Sequence, residues 1–229
     1  MNVVTPKRFT IDEYHRLIEL EFLKESDRIE LIRGELIEMV AKGTPHTFCT
    51  TRLCRQLDRL LGDRVVVRCQ EPIILPSDSE PEPDVAIARG NETDYLPHHP
   101  YPEDIFLVIE ISDSTLNYDQ TTKLEIYAEA GIADYWIVNL NVRQLERYSQ
   151  PYQNAQGEFN YLSKQISLPH QSVAIPGFED VLLDLSRIFP TVVGRANASK
   201  LLLITTRVKN KPKNQDFGFN YFLSPKAIA

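Results

Sequence analysis

Apolar positions recur with a helical period at several places along the chain. Over residues 10–21, Ile11, Tyr14, Leu17 and Ile18 share one face, and Thr10-Ile-Asp-Glu13 is a capping-box pattern that starts a helix. The clearest period lies in 47–61, where Leu53, Leu57, Leu60 and Leu61 fall on one side and Gly62 stands just past the end. Residues 119–130 read as another helix, closed by Gly131. Shorter runs have strand character. Residues 29–39 are two apolar runs around Arg33-Gly34 and predict a hairpin, and 64–68 and 73–75 are β-branched. Pro81-Glu-Pro blocks a helix, and Asp84-Val-Ala-Ile-Ala88 continues as a strand. Residues 105–111 are apolar at nearly every position, as in a strand buried on both faces. Residues 135–139 and 142–148 predict a second hairpin joined by Leu140-Asn141. Beyond Pro151 the pattern weakens: 159–166 reads as a strand and 180–189 as a final short helix.

Strands alternating with helices point to an α/β or α+β domain around a mixed sheet. No internal repeat is visible. The domain takes up residues 1–190, and 191–229 read as a basic tail with one strand-like run at 201–208. Charge sharpens that division. The net charge is -7, yet the tail carries seven Lys/Arg against one acid, so the first 190 residues hold 18 basic and 31 acidic groups, a net of -13. An acidic body counts against tight sequence-independent binding to a duplex, which counterion release drives, although a local basic groove remains compatible with it. No apolar run approaches the ~18 residues of a membrane helix. The N-terminus MNVVTPKRFT has no apolar signal core, and Cys49, Cys54 and Cys69 are too few and too irregular for a disulfide framework or a four-cysteine zinc site. The expectation is a reduced, cytoplasmic protein without membrane contact.

Two acids stand out by placement. Asp84 follows Pro83 at the start of a strand, and Glu110 sits inside the most apolar one. An ionised carboxylate there is costly to bury unless a cation or donors meet it. On neighbouring strands the two make a hard oxygen site suited to Mg²⁺ or Mn²⁺. The plainer alternative pairs Glu110 with a basic residue and leaves Asp84 capping a turn. Lys123, in the helix after the Glu110 strand, can project back over the strand end and offset charge at a scissile phosphate. Its alternative is an i,i+4 pair with Asp119 on a solvated face. His46, ahead of the long helix, is a candidate base or phosphate contact, or a capping group. Arg52, Arg55 and Arg59 form a stripe opposite the leucines that suits phosphates or simply solvent.

The order of these residues carries a resemblance. Pro83-Asp84, then Glu110-Ile-Ser-Asp-Ser-Thr115, then Asp119 and Lys123, then Tyr127-Ala-Glu-Ala-Gly-Ile-Ala-Asp-Tyr-Trp-Ile-Val138, resembles the Uma-type family of endonucleases in the PD-(D/E)XK restriction-endonuclease-like superfamily. Upstream, Arg28-Ile-Glu-Leu-Ile-Arg-Gly-Glu-Leu-Ile-Glu-Met39 and Gly43-Thr-Pro-His46 are similar to that family too, so the likeness spans about residues 8–190. It implies an αβββαβ core, a central mixed sheet flanked by helices with added N- and C-terminal hairpins, and metal ligation by Asp84 and Glu110. The superfamily pattern places a lysine two residues after the second acid, where this chain has Ser112. In this family the lysine comes from the following helix, which matches Lys123. Glu35, in the Arg-Gly-Glu hairpin, matches a family motif as a further carboxylate or is an ordinary turn-flanking acid. Asp113 stands where the family usually has proline.

These readings converge on a Mg²⁺- or Mn²⁺-dependent endonuclease acting on DNA, with Asp84, Glu110, Lys123 and Glu35 as its catalytic set. Cutting both strands of a duplex would favour a two-fold homodimer. The alternative is a catalytically inactive nuclease-fold module that binds nucleic acid or protein. Ser112 in the lysine position and the acidic body support it. An RNA or branched substrate is a further rival.

Overall fold

The computed structural model describes residues 5–190, and the basic-tail reading of 191–229 lies outside them. The first helix, α1 (Ile11–Glu19), starts at the expected capping box, with Thr10 and Glu13 each accepting the other's backbone N–H. Strands β1 (Ile29–Ile32) and β2 (Glu35–Glu38) form the expected hairpin around Arg33 and Gly34. Helix α2 (Thr44–Leu61) begins three residues earlier than its apolar period, because Gly43 serves as N-cap and proline is tolerated in a first helical turn. Its Cys49, Leu53, Leu57 and Leu61 are buried against the sheet.

The main sheet has six strands in the order β3 (Val66–Arg68), β4 (Val85–Ala88), β5 (Ile105–Ser112), β6 (Asp134–Asn139), β7 (Gln144–Gln153) and β8 (Phe159–Ser167). All neighbours are antiparallel except β5 and β6. A parallel neighbour needs a crossover, and here it runs through α3 (Leu116–Tyr118), a π-helical segment (Asp119–Lys123) and α4 (Leu124–Glu129). One sheet face packs on α2 and on a hairpin of β9 (Ser172–Ile175) and β10 (Phe178–Asp184). The other packs on α4 and on Ile73 and Leu75. Strand β5 therefore lies between two apolar layers, which is why its sequence lacks alternation.

Three local expectations are corrected. Residues 180–189 form no α-helix: Val181, Leu183 and Leu185 are buried and Leu182 is exposed, a period of two, so the segment is β10 followed by a short 3₁₀ turn. Residues 73–75 make only an isolated bridge between Leu75 and Ser79, while the N–H groups of Ile73 and Ile74 bond the carbonyls of Pro81 and Pro100. Cys54 and Cys69 are joined in a disulfide, against the expectation of three thiols, and Cys49 is free and buried. α2 and the segment after β3 bring the two half-cystines together, which spacing alone does not reveal.

Candidate active site

The register of β4 against β5 builds the site. Val85 pairs with Ile109, so Asp84, one residue before β4, comes beside Glu110. Each carboxylate then accepts a backbone N–H from the other strand: Ile111 to Asp84 Oδ2 at 2.9 Å, and Asp84 to Glu110 Oε2 at 3.2 Å. Both side chains are buried. Around Asp84, Nε2 of His46 lies 2.9 Å from Oδ2, Gln70 donates to Oδ1 at 3.3 Å, and Nζ of Lys42 lies 3.4 Å from Oδ1. Burial disfavours the charged carboxylate, but the hydrogen bond and charge of His46, with Lys42 and the Ile111 N–H, outweigh it and hold Asp84 below the usual carboxylate range.

Glu110 is met differently. Its Oε1 accepts the Tyr127 hydroxyl at 2.8 Å and lies 3.5 Å from Nζ of Lys123. Burial pushes this carboxyl up to about 8, and the Lys123 charge offsets that only in part. Lys123 itself donates to Glu30 Oε2 at 2.6 Å, and the same oxygen accepts the N–H of Glu82 at 3.1 Å. Burial lowers the pKa of this ammonium, but Glu30 and Glu110 outweigh burial and raise it above the ordinary lysine value. The i,i+4 pairing of Asp119 with Lys123 on a solvated face is thus corrected, since both are buried and have other partners. Asp119 Oδ2 accepts the hydroxyls of Ser112 and Thr115, each at 2.7 Å. The π-helical segment carries both residues, and such segments recur at functional sites.

Asp84, Glu110, Lys123, His46, Lys42 and Tyr118 line one cavity of about 630 Å³. Among the described residues the Tyr118 hydroxyl is buried without a hydrogen-bond partner, and no cluster of three or more His, Cys, Asp or Glu side chains is disposed to hold a metal ion. Glu35 is not brought to this cavity. It is exposed on β2 and paired with Arg8 at 2.8 Å, while the acids of the same hairpin that line the cavity are Glu30 on β1 and Glu38 at the end of β2, of which Glu30 is buried. Arg52, Arg55 and Arg59 are exposed on α2, with Arg52 over the Phe48 ring, and none lines the cavity. Glu30, Lys42, Gln70 and Tyr127 escaped the sequence reading. Glu30 alternates with apolar neighbours as a solvent-facing acid would, and Tyr127 falls in a helical apolar period that reads as core.

A six-stranded mixed sheet flanked by helices, with two acids meeting where β4 starts beside β5, defines a nuclease-like α/β fold. The family Uma2, described as "Putative restriction endonuclease", matches residues 11–186, and the protein belongs to that family. A solved structure described as "a putative nuclease belonging to DUF820 from Anabaena variabilis ATCC 29413" is similar with a TM-score of 0.58 and 14% identity, over 79% of this chain and 97% of that one. That likeness concerns the fold alone. No protein with a curated description matches the chain. Among the described residues no helix is long and apolar enough to cross a membrane.

Proposed function

We propose that the protein is a metal-dependent endonuclease hydrolysing phosphodiester bonds in DNA. The observation that supports this most is the reciprocal pairing of Asp84 and Glu110 beside Lys123 at one cavity. The residues fit a hard divalent cation by two tests. Asp84 and Glu110 offer only oxygen donors, as Mg²⁺ and Mn²⁺ prefer. Among the described residues the Tyr118 hydroxyl has no hydrogen-bond partner, which leaves its oxygen free at the same cavity. When bound, such an ion lowers the pKa of water and stabilises the leaving oxygen of an in-line displacement. Asp84 and Glu110 would hold it. His46 keeps Asp84 ionised and oriented, and Tyr127 fixes the Glu110 carboxylate. Lys123, charged and held beside Glu110, would add positive charge inside the site, without itself reaching the phosphate.

Plasmid nicking with Mg²⁺ and Mn²⁺ tests the proposal. Wild type should cut, EDTA and Asp84→Ala should abolish cutting, and Lys123→Ala should reduce it. Cutting by a folded Asp84→Ala variant as fast as by wild type would overturn the mechanism. A second reading, a binding module without turnover, is favoured by one observation: among the described residues each of the two carboxylates already has protein donors and a cation nearby, with no third acid completing a metal cluster. It predicts nucleic-acid or protein binding with no cleavage in either metal.

A further inference from the structure

Resting on the nuclease reading, the question left open is which cation of this chain meets the phosphate. The cavity is acidic: seven Asp and Glu side chains line it against two lysines. A phosphodiester entering there needs a positive group that faces solvent. Lys123 is unsuited to reach outward, because its side chain is 5% exposed and held between Glu30 and Glu110. Lys42 is different. Its side chain is 24% exposed, and its ammonium stands 3.4 Å from Asp84 Oδ1. That is longer than the ~2.7–2.9 Å of a charge-assisted hydrogen bond. Asp84 keeps His46, Gln70 and the Ile111 N–H without it. The lysine is thus a loosely held counter-ion on a long arm, just ahead of the first turn of α2, which carries no acidic side chain.

We propose that Lys42 is the substrate-contacting cation of this site: it neutralises Asp84 while no metal is bound and moves to a phosphate oxygen of the nucleic acid when a divalent cation takes Asp84. A metal ion held by Asp84 would supply the charge that Lys42 otherwise supplies, and would repel the ammonium. The two positions of one side chain give effects of opposite sign. Removing the charge removes a competitor of the metal and a partner of the phosphate together.

The test uses the full chain and two binding measurements, on wild type, Lys42→Met and Lys42→Arg. Mn²⁺ affinity is taken by calorimetric titration, and affinity for a labelled DNA duplex by fluorescence anisotropy in Ca²⁺ at several salt concentrations. Lys42→Met should bind Mn²⁺ roughly threefold more tightly, the scale of one partly exposed ion pair. It should also bind DNA roughly threefold more weakly, with a salt slope smaller by about one, the signature of one lost phosphate contact. Lys42→Arg should keep the salt slope of wild type. Tighter Mn²⁺ binding with unchanged DNA affinity and slope would make Lys42 a counter-ion only and overturn the inference, as would unchanged affinity for both. Absence of Mn²⁺ binding in wild type would instead remove the metal-centre reading, and this inference with it.

Discussion

Nζ of Lys123 donates to Oε2 of Glu30 at 2.6 Å, joining the π-helical segment to a hairpin 93 residues earlier in the chain. Both groups are buried, with side-chain exposures of 5% and 4%. Breaking one side of a buried ion pair leaves the other charge uncompensated. Glu110, 3.5 Å away, compensates Lys123 only partly. Glu30→Gln should therefore destabilise the fold by about 3 kcal/mol, the lower end for buried pairs. Urea unfolding of Glu30→Gln, Lys123→Met and the double variant checks this. A coupling energy of at least ~1 kcal/mol is expected for groups in direct contact, and additive effects would show that the pair is energetically idle.

The hairpin that presents Glu30 depends on its turn. Gly34 has φ +75, and a Cβ there would stand 2.7 Å from Cβ of Arg8 and 2.8 Å from the Phe9 carbonyl oxygen. Gly131 shares φ +75 but has nothing within 4 Å of a Cβ. Both pay the left-handed cost of about 1–2 kcal/mol on substitution, and only Gly34 adds a clash with backbone. Gly34→Ala should lower Tm by roughly 4–8 °C, taking about 2 kcal/mol and the slope for a domain of this size. Gly131→Ala should lower it by clearly less. Equal shifts in thermal melts would show that the N-terminal segment yields without cost.

Most of the sheet and the two acids at its heart were legible in the sequence, because each left a local mark. The apolar run of β5 carries one misplaced charge at Glu110, and Pro83-Asp84 marks a strand start. The i, i+4, i+7 leucines mark α2, and the capping box marks α1. What stayed hidden depends on contacts between distant segments. Glu30 looks like the polar half of an alternating strand, and only its meeting with Lys123 of the π-helical segment and the Glu82 N–H shows it buried. Lys42 lies in a loop without periodicity and becomes meaningful once α2 is set beside Asp84. Glu35 carried the motif and shares a hairpin face with Glu30, but it stands beside the turn, exposed and paired with Arg8. The misreading of 180–189 came from a segment too short for period two to be told from a helical face.

The disulfide closes a 15-residue separation between α2 and the segment after β3. In the chain-entropy view a loop of that size stabilises the native state by about 3 kcal/mol. Gln70, which donates to Asp84, directly follows Cys69. Cys54→Ser should lose about 2–3 kcal/mol in denaturant unfolding under oxidising conditions. Wild type with a thiol reductant should fall to the same stability, and the variant should not respond. A reductant that leaves wild-type stability unchanged would show that the cross-link contributes nothing.

Acid stability should be governed in part by Glu146, remote from the cavity on β7. Its side chain is 1% exposed, and it accepts from Asn139 at 2.8 Å, from the Tyr148 hydroxyl at 2.8 Å and from Gln120 at 2.8 Å, with Lys164 at 2.7 Å. Burial opposes its ionisation, but Lys164 and the three hydrogen bonds outweigh burial and pull the carboxyl from 4.5 down to about 2. A folded-state pKa below the unfolded value means the native state binds fewer protons, so this group stabilises the fold fully above about 4.5 and loses that contribution as pH falls towards 2. Glu146→Gln removes the titration. The urea midpoint of wild type should exceed that of Glu146→Gln at neutral pH, and the gap should close between pH 4.5 and 2. A gap that stays constant across that interval would show that Glu146 contributes by packing alone.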